Sequence, residues 1–187
     1  MNEKSAAIDR AITGPFDISE VSAVQPFIDL GALKVTPRTG LQLRLDIEES
    51  SKRLVAATFE IDESTLQVQV FAAPRSEGLW NEIRGQVAEQ VIRQGGSADH
   101  VVGPFGPELR SLVPTADGSQ RPVRFVGVDG PKWFLRGVIS GPAASSDARA
   151  GIVEDVFRSI VVNRGTEPLP PRELLTLRVP PQPGTLA

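Results

Sequence analysis

The sequence predicts an α+β fold: a mostly antiparallel sheet of six or seven strands with two main helices, in the order β-β-β-α-β-β-β-α. Three observations predict it. Between residues 41 and 72, the runs "LQLRLDI", "LVAATFEI" and "LQVQVFA" alternate apolar and polar residues and are separated by the turn-like "EESSKR" and "DEST". Two later stretches, 76–96 and 145–162, instead repeat apolar residues at helical spacing. A second group of strand-like runs lies between them and ends in a β-hairpin near Asp129.

Residues 1–24 are small, polar and turn-forming, without a period of two or 3.6, and are expected to form a flexible N-terminal arm whose "GPF" docks. The single α+β domain is expected over 25–165. "FIDLGALKV" opens it as a short, irregular strand. In the meander that follows, side chains alternate between faces. Leu41, Leu43, Leu45, Ile47, Val55, Ala57, Phe59, Ile61, Leu66, Val68 and Val70 fall on one face, and Gln42, Arg44, Asp46, Thr58, Glu60, Gln67 and Gln69 on the other. This half of the sheet is therefore expected to be covered on one side and wet on the other.

In "SEGLWNEIRGQVAEQVIRQGG", Leu79, Ile83, Val87 and Val91 recur every four residues, with Trp80 and Ile92 widening the stripe. Ser76 is the expected N-cap and Gly95 or Gly96 the left-handed ending. Gly85 inside this helix suggests close approach to another element. "LRSLVPT", "PVRFVGV" and "KWFLRGVIS" form a second meander. In "SSDARAGIVEDVFRSIVV", capped by Ser146 or Asp147, the residues Ile152, Val153, Val156, Phe157 and Ile160 line one face. Residues 166–187 hold six of the chain's sixteen prolines and read as a C-terminal strap or tail.

Composition narrows the function. No cysteine and a single histidine, His100, leave no ligand set for structural zinc or an iron–sulfur cluster and no thiol nucleophile, so no metal and no cofactor is expected. A reducing, cytoplasmic compartment fits best. The first twenty residues carry four acids and two bases and lack the apolar run of a secretory signal, and no stretch is apolar enough to span a bilayer. A net charge of −3 argues against a dedicated nucleic-acid binder, which displays a clustered basic face.

The hairpin "RFVGVDGPKWFLRGVISG" has glycines at 127 and 137 inside strand-like runs and a tryptophan between them. With Asp129, Gly130 and Pro131 as the turn and Val128 opposite Lys132, Gly127 faces Trp133. The indole then covers a strand position without a side chain, which favours packing over ligand stacking for Trp133. The same register sets Arg124 opposite Arg136, a like-charged pair that calls for an anion or carboxylate between them. A structural salt bridge of these arginines to Asp46 or Glu60 is the simpler reading. "APRSEGLW" places Arg75 and Ser76 at a helix start, where free backbone N–H groups attract anions, although Ser76 as a plain cap and Arg75 as a surface charge is again simpler.

The acid pairs Glu48 and Glu49, Asp62 and Glu63, and Glu154 and Asp155 read as solvated charge rather than acid–base machinery, and no local motif builds a triad on His100. No catalytic residue is assigned.

Taken together, "GPFDISEV", "IDLGALKV", "FAAPRSEGLWNEIR", "RQGG", "GPFGPELR" and "FVGVDGPKWFLRGVISG" resemble an uncharacterised family of actinobacterial proteins, a domain of unknown function found as a stand-alone soluble chain. The resemblance covers residues 13 to 180 and is most specific in "AAPRSEG" and "GVDGPKWFLRGV". It implies a cytoplasmic address and brings no established activity or catalytic residues. In architecture alone, the element order is similar to the Mog1/PsbP-like group, a likeness that carries no function. The expected function is a non-catalytic cytoplasmic binding or adaptor module with a protein partner. The alternative is an enzyme or binder for a small anionic metabolite, held by an arginine clamp. Arg75, Ser76, Arg124, Arg136 and Trp133 are the candidate binding residues in either case, without a membrane or nucleic acid as partner.

Overall fold

The computed structural model describes residues 2–22 and 24–181. A one-turn helix α1 (Arg10–Thr13) and three short strands, β1 (Phe16–Asp17), β2 (Ile28–Asp29) and β3 (Leu33–Val35), come first. Then follow β4 (Gln42–Glu48), β5 (Arg53–Ile61), β6 (Ser64–Ala72) and helix α2 (Trp80–Arg93). Next are β7 (Ser97–Gly103), β8 (Gly106–Pro114), β9 (Gln120–Gly130), β10 (Trp133–Ser140), helix α3 (Asp147–Ser159) and β11 (Val161–Val162). Strands β4 to β10 make one seven-stranded sheet in the spatial order β4-β5-β6-β10-β9-β8-β7, and every neighbouring pair in it is antiparallel. The expected α+β class with an antiparallel sheet holds. The strand without an alternating signal is β7, "SADHVVG", whose apolar residues are adjacent rather than spaced by two.

The first meander pairs as its alternation requires. Phe59 sits between Leu43 and Leu66, and Ala57 between Leu45 and Val68, while Thr58 lies between Arg44 and Gln67 on the other face. Asp62 and Glu63 both take positive φ (51° and 67°), so they close β5 onto β6 as a two-residue turn whose twist matches the strands. A register shift between Asp46 and Ile47 turns Ile47 out of the core, leaving it 55% exposed.

The main core lies on one face of this sheet. Phe59, Leu66, Val68, Val126, Trp133, Leu135 and Ile139 meet Val153, Val156 and Phe157 of α3. They also meet Leu33, Val35 and Val162 of a small second sheet, ordered β1-β11-β3-β2. "FIDLGALKV" therefore supplies β2 and β3 of this second sheet, with Gly31 (φ 84°) at the turn between them. The opposite face of the large sheet is covered unequally: α2 packs on β7, β8 and β9. Gly85 of α2 faces open space, so no close approach explains it, and Ile92 is 58% exposed.

The segment expected as a flexible arm hydrogen-bonds to the domain. The Gly78 N–H donates to the Asn2 carbonyl (2.9 Å), the Asp129 N–H donates to the Ser5 carbonyl while the Ser5 N–H donates to the Asp129 carboxylate (both 2.9 Å), and the Phe16 N–H donates to the Ile160 carbonyl (2.9 Å). At the other end, β5 and β6 pair only over residues 57–61 and 64–68. Beyond them, residues 172–177 bond both strands: Arg172 and Glu173 to Ala72, Leu175 to Val70, and Leu177 to Leu54. This strap buries Leu175 and Leu177 in the main core. The expected tail runs to residue 187, and residues 182–187 lie outside the described residues.

Candidate functional site

The hairpin between β9 and β10 decides what the two central arginines do. Its register sets Gly130 opposite Trp133, Val128 opposite Leu135, Gly127 opposite Arg136 and Arg124 opposite Ile139. The turn is therefore only Pro131 and Lys132, with Pro131 fixing one φ near −65° and Lys132 accepting φ 59°. The expected register, with Val128 opposite Lys132, is corrected by three residues. That odd shift puts Arg124 and Arg136 on opposite faces of the sheet, so they form no clamp with each other.

Arg124 points into the α3 side and is 2% exposed. Its guanidinium donates to both Glu108 oxygens (2.8 and 3.1 Å) and to Glu154 (2.8 Å). Burial works against its charge, but these carboxylates more than compensate and hold its pKa above the ordinary value. It is a satisfied structural arginine whose partners are Glu108 and Glu154 rather than Asp46 or Glu60. Glu108 lies far from Arg124 in sequence, and only the β8–β9 pairing brings it close.

The tryptophans pack on glycines, but the expected pairing of Trp133 with Gly127 is corrected: Trp133 packs on Gly130, and Trp80 packs on Gly127. A Cβ on Gly130 would lie 2.2 Å from the Trp133 ring, and one on Gly127 would lie 2.3 Å from the Trp80 ring. Trp133 is fully buried and donates its indole N–H to Asp17 (2.8 Å), while the Arg10 guanidinium stacks 5.5 Å from its ring. Trp133 is thus part of the core and is not presented to a ligand.

The start of α2 already holds an anion. The helix begins at Trp80, four residues after Ser76, and Leu79 occupies the cap position without a side-chain cap. The Asp129 carboxylate accepts the Leu79 N–H (2.8 Å) and the Ser5 N–H (2.9 Å), with Trp80 N–H at 3.4 Å. Arg75 and Ser76 are exposed on the approach to the helix. Arg75 borders an open depression of about 500 Å³ with Lys4, Arg10 and Lys132. There Lys4 is bonded to the Gly130 carbonyl (2.8 Å) and Arg10 to Glu20 (2.8 Å).

Arg136 is different. On the face opposite the main core it lies beside Phe134, across from Gln69 on β6 and Gly127 on β9. It is half-buried, and among the described residues no carboxylate or carbonyl accepts its protons. Burial lowers its pKa with nothing opposing. It lines a small pocket of about 220 Å³ with Phe71, Leu79, Ile83, Phe134 and Arg172. Two of its lining rings stack, Phe71 on Phe134 (5.9 Å), and Phe134 stacks in turn on the buried Trp80 (5.8 Å). Beside it, β4 to β6 present the expected wet face, where Asp46 accepts from Thr58 (2.6 Å) and Gln67 (3.2 Å) and Arg44 pairs with Glu60 (3.3 Å). Of the candidate arginines, Arg136 alone combines burial with an unmatched charge. Sequence reasoning missed Phe71, Leu79, Ile83, Phe134 and Arg172 as its neighbours, because only the β6–β10 pairing and the strap bring them together.

His100 lies on β7, and its Nδ1 accepts from the Arg84 Nε–H (3.1 Å) at the surface of α2. Among the described residues, no three His, Asp or Glu side chains are grouped to hold a metal ion, and no helix is long and apolar enough to cross a membrane.

A family model described as "Protein of unknown function (DUF3710)" matches residues 14–185. No curated protein matches the chain. Among solved structures, the chain is similar to cyanobacterial PsbP (CyanoP) from Synechocystis sp. PCC 6803, with 13% identity and a TM-score of 0.46. That match covers 76% of this chain and 96% of the other.

Proposed function

The chain belongs to the DUF3710 family, whose members are proteins of unknown function, and on that premise we propose that it is a non-catalytic binding module. It takes a carboxylate of a protein partner on the open face of the large sheet, with Arg136 as the anchor. A single observation carries this: Arg136 is a half-buried guanidinium that no acceptor satisfies. A half-buried charge without a protein partner has lost part of its hydration, and an incoming carboxylate recovers part of that cost as affinity. The aromatic rings beside it support the same reading, since buried aromatic and arginine side chains dominate binding energy at interfaces.

The small-metabolite alternative is less well supported. Its arginine pair is divided between two faces, and Arg124 already holds Glu108 and Glu154. The depression beside the strap is bordered by arginines with internal partners, such as Arg178 on Asp29 (2.7 Å), and Arg75 is an exposed charge. We place the module in the cytoplasm, in keeping with a chain that has no cysteine.

The test is affinity capture from a native lysate with the tagged full chain, comparing wild type, Arg136→Gln and Arg75→Gln by quantitative mass spectrometry. A partner captured by wild type and Arg75→Gln should fall roughly tenfold or more with Arg136→Gln, the loss expected for truncating one side of a buried charge pair. Equal capture by all three would remove Arg136 as the anchor.

A further inference from the structure

We infer that the pocket between α2 and the strap receives the C-terminal residue of a partner polypeptide. Its apolar side chain lies against Phe71, Leu79, Ile83 and Phe134, and its carboxylate bridges Arg136 and Arg172 in place of Glu82. This rests on the binding-module reading and narrows it to one ligand chemistry.

Size is the first argument. At about 220 Å³, the pocket falls below the roughly 300–1,000 Å³ of sites for cofactors and drug-sized metabolites. It has room for one side chain. Polarity is the second argument: its walls are apolar apart from two guanidinium groups, and no acid lines it. An aspartate or glutamate side chain would satisfy the charge and leave the apolar walls bare. A chain-terminal apolar residue satisfies both, because its carboxylate and its side chain leave the same Cα.

The third argument is Arg172. It stands at the pocket mouth on the strap, where φ of 73° turns the chain and the Arg172 N–H donates to the Ala72 carbonyl (2.7 Å). Its guanidinium is held by the Glu82 carboxylate in the first turn of α2. Both side chains of that ion pair are near half exposure (45% and 40%), so water screens it and exchanging its carboxylate costs little. Glu82 also accepts long contacts from Asn2 and Gln86 (both 3.4 Å), which remain available when Arg172 leaves. Planar guanidinium groups match a carboxylate through paired N–H donors. Arg136 supplies the half-buried, unpaired half of the clamp and Arg172 the movable half.

Calorimetric titration of the full chain with the peptide Gly-Ser-Gly-Ser-Phe as a free acid tests this, alongside its C-terminal amide and 3-phenylpropionate. The free acid should bind at least tenfold more tightly than the amide. Arg136→Gln should remove that preference, and Glu82→Gln should tighten free-acid binding severalfold by releasing Arg172. Equal binding of acid and amide, or a preference unchanged in Arg136→Gln, would overturn the inference. Binding of 3-phenylpropionate as tight as the peptide would also overturn it, by making a free carboxylic acid the ligand. If lysate capture depends on Arg136 while the free acid shows no advantage, the binding module stands and the C-terminal assignment falls.

Discussion

Arg124 and Arg136 sit on neighbouring strands of one sheet and differ in everything that matters for function. Arg124 is enclosed with Glu108, both 2% exposed, and its removal would leave the buried Glu108 with only Arg110 at 3.5 Å and take the cation from Glu154. Arg124→Met should therefore destabilise the fold by about 3–5 kcal/mol in urea unfolding. Arg136→Gln, which removes an unmatched charge, should change stability by less than about 1 kcal/mol in the same assay. Equal losses would contradict the division of roles. Sequence alone shows both residues as arginines in a hairpin, and their faces depend on whether the turn is centred on Gly130 or falls at Pro131 and Lys132. Lys132 carries the positive φ without the Gly, Asn or Asp that would have signalled it. The pairing of a tryptophan with a strand glycine was legible as a device. Which tryptophan serves which glycine required the register.

The N-terminal segment shows how an element with little periodicity becomes part of the structure. The Asp17 side chain accepts from the Ser19 N–H (3.1 Å) and Glu20 accepts from the Asp17 N–H (2.6 Å), a reciprocal cap on a single turn. Arg10 grips Glu20 with two bonds of 2.8 Å and stacks on Trp133. Burial pushes the Glu20 carboxyl upward, but Arg10 and the Asp17 N–H outweigh it and hold its pKa below the usual 4.5. A carboxyl with a depressed folded pKa contributes stability above its unfolded pKa and loses it as pH falls through the folded value. The stability gap between wild type and Glu20→Gln should therefore be full near neutral pH and close as pH falls through the lowered folded pKa of Glu20. A gap independent of pH would show that the Arg10 contact is not electrostatic. The contacts of Asp17 and Arg10 with Trp133 join residues over a hundred positions apart, so alternation and helical spacing do not report them. The long meander and the two long helices were legible because their apolar faces repeat. The exception within α2 is its start, displaced from Ser76 because Asp129 caps the helix from another strand.

At the scale of the whole molecule, the strap completes a sheet that its strands leave open. Beyond Ala57 and Val68, strands β5 and β6 separate, and residues 172–177 supply the missing backbone partners. The prolines of 166–187 signalled an extended segment, and the structure gives its described part a defined seat. Truncation after Gly165 should speed amide exchange at Ala72, whose N–H donates to the Glu173 carbonyl (2.8 Å), while exchange at Leu109 and Phe125 in the β8–β9 ladder stays slow. Unchanged protection of Ala72 would mean that the strap is not seated there in solution. The same strap carries Arg172 to the mouth of the Arg136 pocket, so the sheet's repair and the proposed binding face share one segment. The most direct measurement is the NMR signal of the arginine side-chain Nε–H groups during titration of the full chain with the free-acid peptide. The Arg136 resonance should show a saturable shift, with Arg124 and Arg75 unmoved. A stationary Arg136 signal, or equal shifts at exposed arginines such as Arg75, would contradict Arg136 as the anchor.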